Sequence, residues 1–86
     1  MEYKHIETLI ESDGLSILIE VEGIKMWVDC WYCEEDWNID FNKSIFYLNN
    51  ESDLKEKEIQ DKIMNEDFEA FYFFIDEILE KYEKRG

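Results

Sequence analysis

The residues best able to do chemistry lie in the middle of the chain. Cys30-Trp31-Tyr32-Cys33 has the spacing of a thiol–disulfide motif or of half a zinc site. A redox pair needs its first cysteine at a helix N-terminus, where the positive end of the dipole lowers the thiol pKa. Here three acids, Glu34, Glu35 and Asp36, follow at once, and negative charge does the opposite. Zinc needs two further good ligands, yet His5 is the only histidine and there is no second cysteine pair. Cys30 and Cys33 are thus weak metal candidates, and the expectation is no metal and no cofactor. Asp36, Asn38, Asp40 and Asn42 alternate like the first ligands of a calcium loop. That loop needs Gly at its sixth position and a bidentate Glu at its twelfth, where this chain has Phe41 and Tyr47. His5 has no nearby nucleophile to form a triad. Asn50-Glu51-Ser52 fits a glycosylation sequon, but no secretory signal accompanies it. No phosphate-binding glycine loop is present. The chain reads as a non-enzyme.

Charge and aromatics carry more information. Of 86 residues, 23 are Asp or Glu and nine are Lys or Arg, a formal net charge of −14. The first fifty residues hold eleven acids and three bases, the remainder twelve and six, so the excess is spread over the fold. Direct binding to nucleic acid or to an anionic membrane is disfavoured, since both need clustered Lys and Arg. No apolar run is long enough to span a bilayer, and the first residues lack a basic-then-apolar signal, which together point to the cytoplasm. Residues 26–42 contain Asp29, Glu34, Glu35, Asp36 and Asp40 with no Lys or Arg, interleaved with Trp31, Tyr32 and Trp37. A solvated, solubilising surface is the ordinary reading of such a run. Two things weigh against it. A charge of −14 exceeds the magnitude of about 2–8 that solubility asks of a small domain, and Trp and Tyr are the residues that anchor interfaces.

The elements that must position these residues follow from periodicity. Asp13-Gly14 and Glu22-Gly23 are hairpin signals flanked by alternating apolar residues. A Glu22-Gly23 turn pairs Val21 with Ile24, Ile19 with Met26, Ile17 with Val28 and Leu15 with Cys30. An Asp13-Gly14 turn pairs Ile10 with Ile17, Thr8 with Ile19 and Ile6 with Val21. Both registers place the apolar set on one face. The other face then carries a Leu9–Leu18–Trp27 row and a Glu20–Lys25 pair, at the cost of setting Glu7 beside Glu20. Residues 2–12 also fit a helix through Tyr3, Ile6, Leu9 and Ile10; agreement between the two turns favours the strand. Residues 29–36 run from the third strand into an acidic loop, and a fourth strand falls within 37–48, with Asn42-Lys43 as a possible turn. Two helices follow, at about 52–64 and 66–84. Ser52 is placed to cap the first, whose apolar stripe (Leu54, Ile59, Ile63) is thin. Asn65 is placed to cap the second, where Phe68, Phe71, Tyr72, Ile75, Ile78, Leu79 and Tyr82 recur at helical spacing. Residues 1–86 therefore read as a single compact acidic α+β domain: an antiparallel meander of three to four strands over about 3–48, then two helices packed on one sheet face.

In size, acidity and lack of a catalytic motif the chain resembles the phage-encoded DNA-mimic proteins, the anti-CRISPR and anti-restriction inhibitors. That resemblance implies a non-enzymatic inhibitor acting in the host cytoplasm. It would occupy the DNA or RNA site of a basic nucleic-acid-binding protein by presenting carboxylates where phosphates would lie. The expected partner-binding residues are Asp29, Trp31, Glu34, Glu35, Asp36, Trp37 and Asp40, with Trp31 and Trp37 as anchors. An immunity protein or antitoxin neutralising a basic nuclease would use the same combination. A third reading is a structural or regulatory subunit that docks or homodimerises through a second surface, Leu9, Leu18 and Trp27.

Overall fold

The computed structural model describes residues 1–33, 35–41 and 51–83. Four antiparallel strands, β1 (Tyr3–Ile10), β2 (Gly14–Val21), β3 (Ile24–Cys33) and β4 (Asp36–Phe41), are followed by α1 (Glu51–Glu66) and α2 (Phe68–Glu83). The sheet order is β1-β2-β3-β4, a simple meander. Both helices lie on one face of it. Leu15, Ile17, Ile19 and Val21 of β2, Met26, Val28 and Cys30 of β3, and Phe41 of β4 are buried there against Ile59, Ile63, Phe71, Ile75, Ile78 and Leu79 of the helices. Side chains alternate across a strand, so the remaining strand residues form a second face that neither α1 nor α2 covers.

The β2–β3 hairpin has the expected register, from Val21↔Ile24 to Leu15↔Cys30. Its turn places Glu22 and Gly23 both at positive φ, 52° and 81°, the mirror-image turn that matches strand twist. The β1–β2 register is different from the one read from the turn signal. Ile10 lies opposite Leu15 and Thr8 opposite Ile17, and a bulge between His5 and Glu7 then sets Tyr3 opposite Val21. Ser12 and Asp13 separate the paired ends, where the Glu11 N–H donates to the Gly14 carbonyl at 2.9 Å. Gly14 is therefore the first residue of β2 and not the turn residue expected of it. It must be Gly because a Cβ there would collide with the Cys30 carbonyl oxygen of β3.

The slip has an electrostatic reason. It exchanges the Glu7–Glu20 clash for Lys4 opposite Glu20, with Lys25 on the other side of Glu20. It also has a packing reason. Tyr3 takes the place at the core edge expected of Ile6, stacks on Phe74 at 5.5 Å between centroids, and donates its hydroxyl to Asp67 Oδ2 at 2.6 Å. Ile6, at the bulge, is left exposed.

The helix boundaries also move. α1 begins at Glu51, one residue before the Ser expected to cap it. The cap of α2 is Asp67, not Asn65: its N–H donates to the Ile63 carbonyl and its own carbonyl accepts from the Phe71 N–H at 3.1 Å, as an N-cap residue does. Leu54 of the expected α1 stripe is 56% exposed, whereas Ile59 and Ile63 are buried. The expectations of strand after Phe41, of a turn at Asn42-Lys43 and of helix beyond Glu83 lie outside the described residues. Among the described residues no helix is long and apolar enough to cross a membrane.

Candidate protein-interaction surface

The helix-free face of the sheet is built from alternate residues of each strand. The registers place Lys4, Glu7 and Leu9 of β1 beside Ser16, Leu18 and Glu20 of β2. Next come Lys25, Trp27, Asp29 and Trp31 of β3, then Asp36, Asn38 and Asp40 of β4. The two surfaces expected from the sequence are thereby joined. The apolar residues Leu9, Leu18, Trp27 and Trp31 share this face with Asp29, Asp36 and Asp40. Leu18 is directly opposite Trp27, but Leu9 faces Ser16, so the expected straight row is a staggered one. Trp31 is 40% and Leu9 45% exposed.

Asp29, Asp36 and Asp40 on this face each have a local partner. Ser16 is buried, and its Oγ lies 2.6 Å from Glu11 Oε1 and 3.0 Å from Asp29 Oδ1. A hydroxyl has one proton to donate, so the two carboxylates share it. Asp29 lies directly opposite Asp40, a like-charge pair that concentrates negative potential at the centre of β3 and β4. Asp36 Oδ1 accepts the Trp37 N–H at 2.8 Å, and Asp40 Oδ1 accepts the Phe41 N–H at 2.9 Å. These two acids thus also occupy donors of an edge strand.

Trp37 does not join this face. A pair such as Tyr32↔Trp37 shares one side of the sheet, and it is the helix side; Trp31, opposite Asn38, points the other way. The two expected anchors are therefore on opposite faces of one hairpin. Tyr32 and Trp37 meet edge to face, 5.5 Å between centroids and 70° between planes. The hairpin outruns its neighbour: the last β2–β3 pair is Gly14↔Trp31, so Tyr32 and Cys33 pair with β4 alone. Glu35, at φ 66°, sits at its turn, exposed; Glu34 lies outside the described residues.

The two cysteines are likewise separated. Three residues apart on a strand, they face opposite ways, Cys30 buried and Cys33 exposed, and both are free. They cannot close a disulfide or ligate one ion together. Burial, and secondarily the charge of Asp29, pushes the Cys30 thiol up to about 12, which removes it from nucleophilic chemistry at neutral pH. Among the described residues no group of three or more His, Cys, Asp or Glu is placed to hold a metal. His5 is exposed, with its Nε2 2.7 Å from the Thr8 hydroxyl.

Helix α2 contributes a feature that the periodicity concealed. Phe68 and Tyr72, expected in the core, are exposed, and Phe73 is 68% exposed. The run Phe71-Tyr72-Phe73-Phe74 spans a full helical turn, so its aromatics cannot all face inward. That arithmetic was the available signal.

Fold and surface together define a two-layer α+β domain with one helix-covered sheet face and one open, acidic, aromatic face. No protein-family model matches the chain, and comparison with curated proteins and with solved structures likewise finds no match.

Proposed function

We propose that this protein is a non-enzymatic inhibitor that binds a basic nucleic-acid-binding protein and blocks its DNA or RNA site by charge mimicry, in the manner of anti-CRISPR and anti-restriction proteins. The supporting observation is the open sheet face, where Asp29, Asp36 and Asp40 share one surface with Trp27, Trp31, Leu18 and Leu9. A protein that binds duplex DNA holds Lys and Arg against about one phosphate charge per 1.7 Å of axis. Carboxylates fixed on strands meet that groove without the ordering cost of a flexible polyanion. The charges speed encounter, and the apolar centre slows dissociation once it is buried.

The test is affinity capture from bacterial lysates, eluted with a salt gradient, followed by competition with added DNA or RNA. The reading expects a basic nucleic-acid-binding partner that nucleic acid displaces. It further expects the combined substitution Asp29→Asn, Glu35→Gln, Asp36→Asn and Asp40→Asn to weaken binding by at least tenfold and to flatten its salt dependence. Asn is chosen because its carbonyl oxygen still accepts the Trp37 and Phe41 N–H groups. Unchanged affinity in that variant sinks the proposal. Capture of a cognate toxin that nucleic acid does not displace would replace it with the immunity-protein reading.

A further inference from the structure

A second feature lies at the end of the sheet, where the β1–β2 loop, the β3–β4 hairpin and the last turn of α2 meet. Tyr32, Trp37 and Tyr82 line an open groove there together with Ile10, Glu11 and Asp13. Tyr32 and Trp37 form two walls near a right angle, and Tyr82 comes from the other layer of the fold. Tyr32 is 54% exposed, so its ring is available to a ligand. The groove is on the helix side, away from the open sheet face.

We propose that this groove takes an arginine side chain of a basic partner protein, an inference that rests on the reading that the partner is basic. Three features converge on a cation, and a fourth point selects Arg. Aromatic faces carry the negative part of the ring quadrupole and attract a cation within about 6 Å of the centroid. Asp13 brings a carboxylate to the same groove, the Glu11 carboxylate being bonded to the Ser16 hydroxyl, and none of its described lining residues is cationic. Tyr82 stands in the last turn of α2, where the helix dipole presents its negative end. The planar guanidinium stacks on rings and is more weakly hydrated than an ammonium, which favours Arg over Lys. A second copy of this chain is a poor occupant, since it brings a net charge of −14.

The experiment titrates ¹⁵N-labelled protein with N-acetyl-arginine-N-methylamide, and in parallel with its lysine and citrulline analogues. The readout is the indole N–H signals of Trp27, Trp31 and Trp37. The arginine compound should shift the Trp37 signal saturably and leave Trp27 and Trp31 in place. The lysine compound should bind more weakly, and neutral citrulline should not bind. Tyr32→Ala removes one wall without altering charge and should weaken arginine binding by about tenfold; an otherwise unchanged amide spectrum verifies its fold. Asp13→Asn should weaken it less. An unmoved Trp37 signal, equal shifts at all three Trp, or full binding by Tyr32→Ala overturns the site. Such a failure leaves the amide-variant test of the sheet face untouched. Conversely, loss of the basic-partner reading would not abolish arginine binding in this titration.

Discussion

Half-buried Gly14, at the start of β2, passes so close to the backbone of buried Cys30 on β3 that the two show how tightly the strands approach. Because a Cβ on Gly14 would meet backbone and not a movable side chain, Gly14→Ala should lower unfolding free energy by about 1–3 kcal/mol, measured by urea denaturation. Cys30 makes a pH prediction. Its thiol ordinarily titrates near 9 and is pushed up to about 12 in the fold, so the native state holds this proton more tightly than the unfolded chain. The resulting stability is complete below pH 9 and is lost as pH rises from 9 through 12. The Tyr3 phenol, raised by burial, by its hydrogen bond to Asp67 and by that carboxylate's charge, acts in the same direction above pH 10. The midpoint of thermal unfolding should therefore fall above pH 9 in the native sequence. It should fall less steeply in Cys30→Val, which leaves an apolar group of similar volume and nothing to titrate. Equal slopes would mean that Cys30 opens to solvent before the protein unfolds.

The hairpins determine which side chains share a face. The β2–β3 register was legible because a Glu-Gly turn fixes the pairing and a one-residue slip would expose Ile17, Ile19 and Val28. Its Glu22 nonetheless holds a left-handed conformation that Asn tolerates better. Glu22→Asn should raise stability by about 0.5–1 kcal/mol, checked by the denaturant midpoint at unchanged slope. The β1–β2 register was not legible, since the slip of two residues over Glu7–Ile10 preserves their inward and outward assignments, and only the bulge reverses those of Tyr3, Lys4 and His5. Contacts distant in sequence decided it: Tyr3 to Asp67, and the Gly14 backbone to Cys30. Trp31 and Trp37 were expected to anchor one partner together, but a two-residue loop makes paired numbers sum to an odd value, so two odd-numbered residues across it point apart. At the edge of the sheet, Asp36 and Asp40 bond N–H groups of their own strand. Replacing both with Thr should expose those donors and promote strand-to-strand association, seen as a concentration-dependent rise in light scattering with little change in monomer circular dichroism.

Across the whole molecule a charge of −14 acts against compaction, and screening relieves it. The thermal midpoint should rise by several degrees between about 0.05 and 0.5 M NaCl, the reverse of what a fold held by surface ion pairs would show. The same salt should weaken any complex with a basic partner, so stability and affinity are expected to move in opposite directions. The acidity, the two-layer α+β composition, the strand and helix order and most of the core are determined by the sequence alone, because they follow from local periodicity and from counting charges. Which acids stand beside which aromatics was decided only by the tertiary structure. The bulge in β1 and the β1–β2 register depend on contacts between residues far apart in the chain. Those contacts joined Leu9, Leu18 and Trp27 to the acids of β3 and β4. Trp37 lies on the opposite side, where it meets Tyr32 and lines a groove with Tyr82.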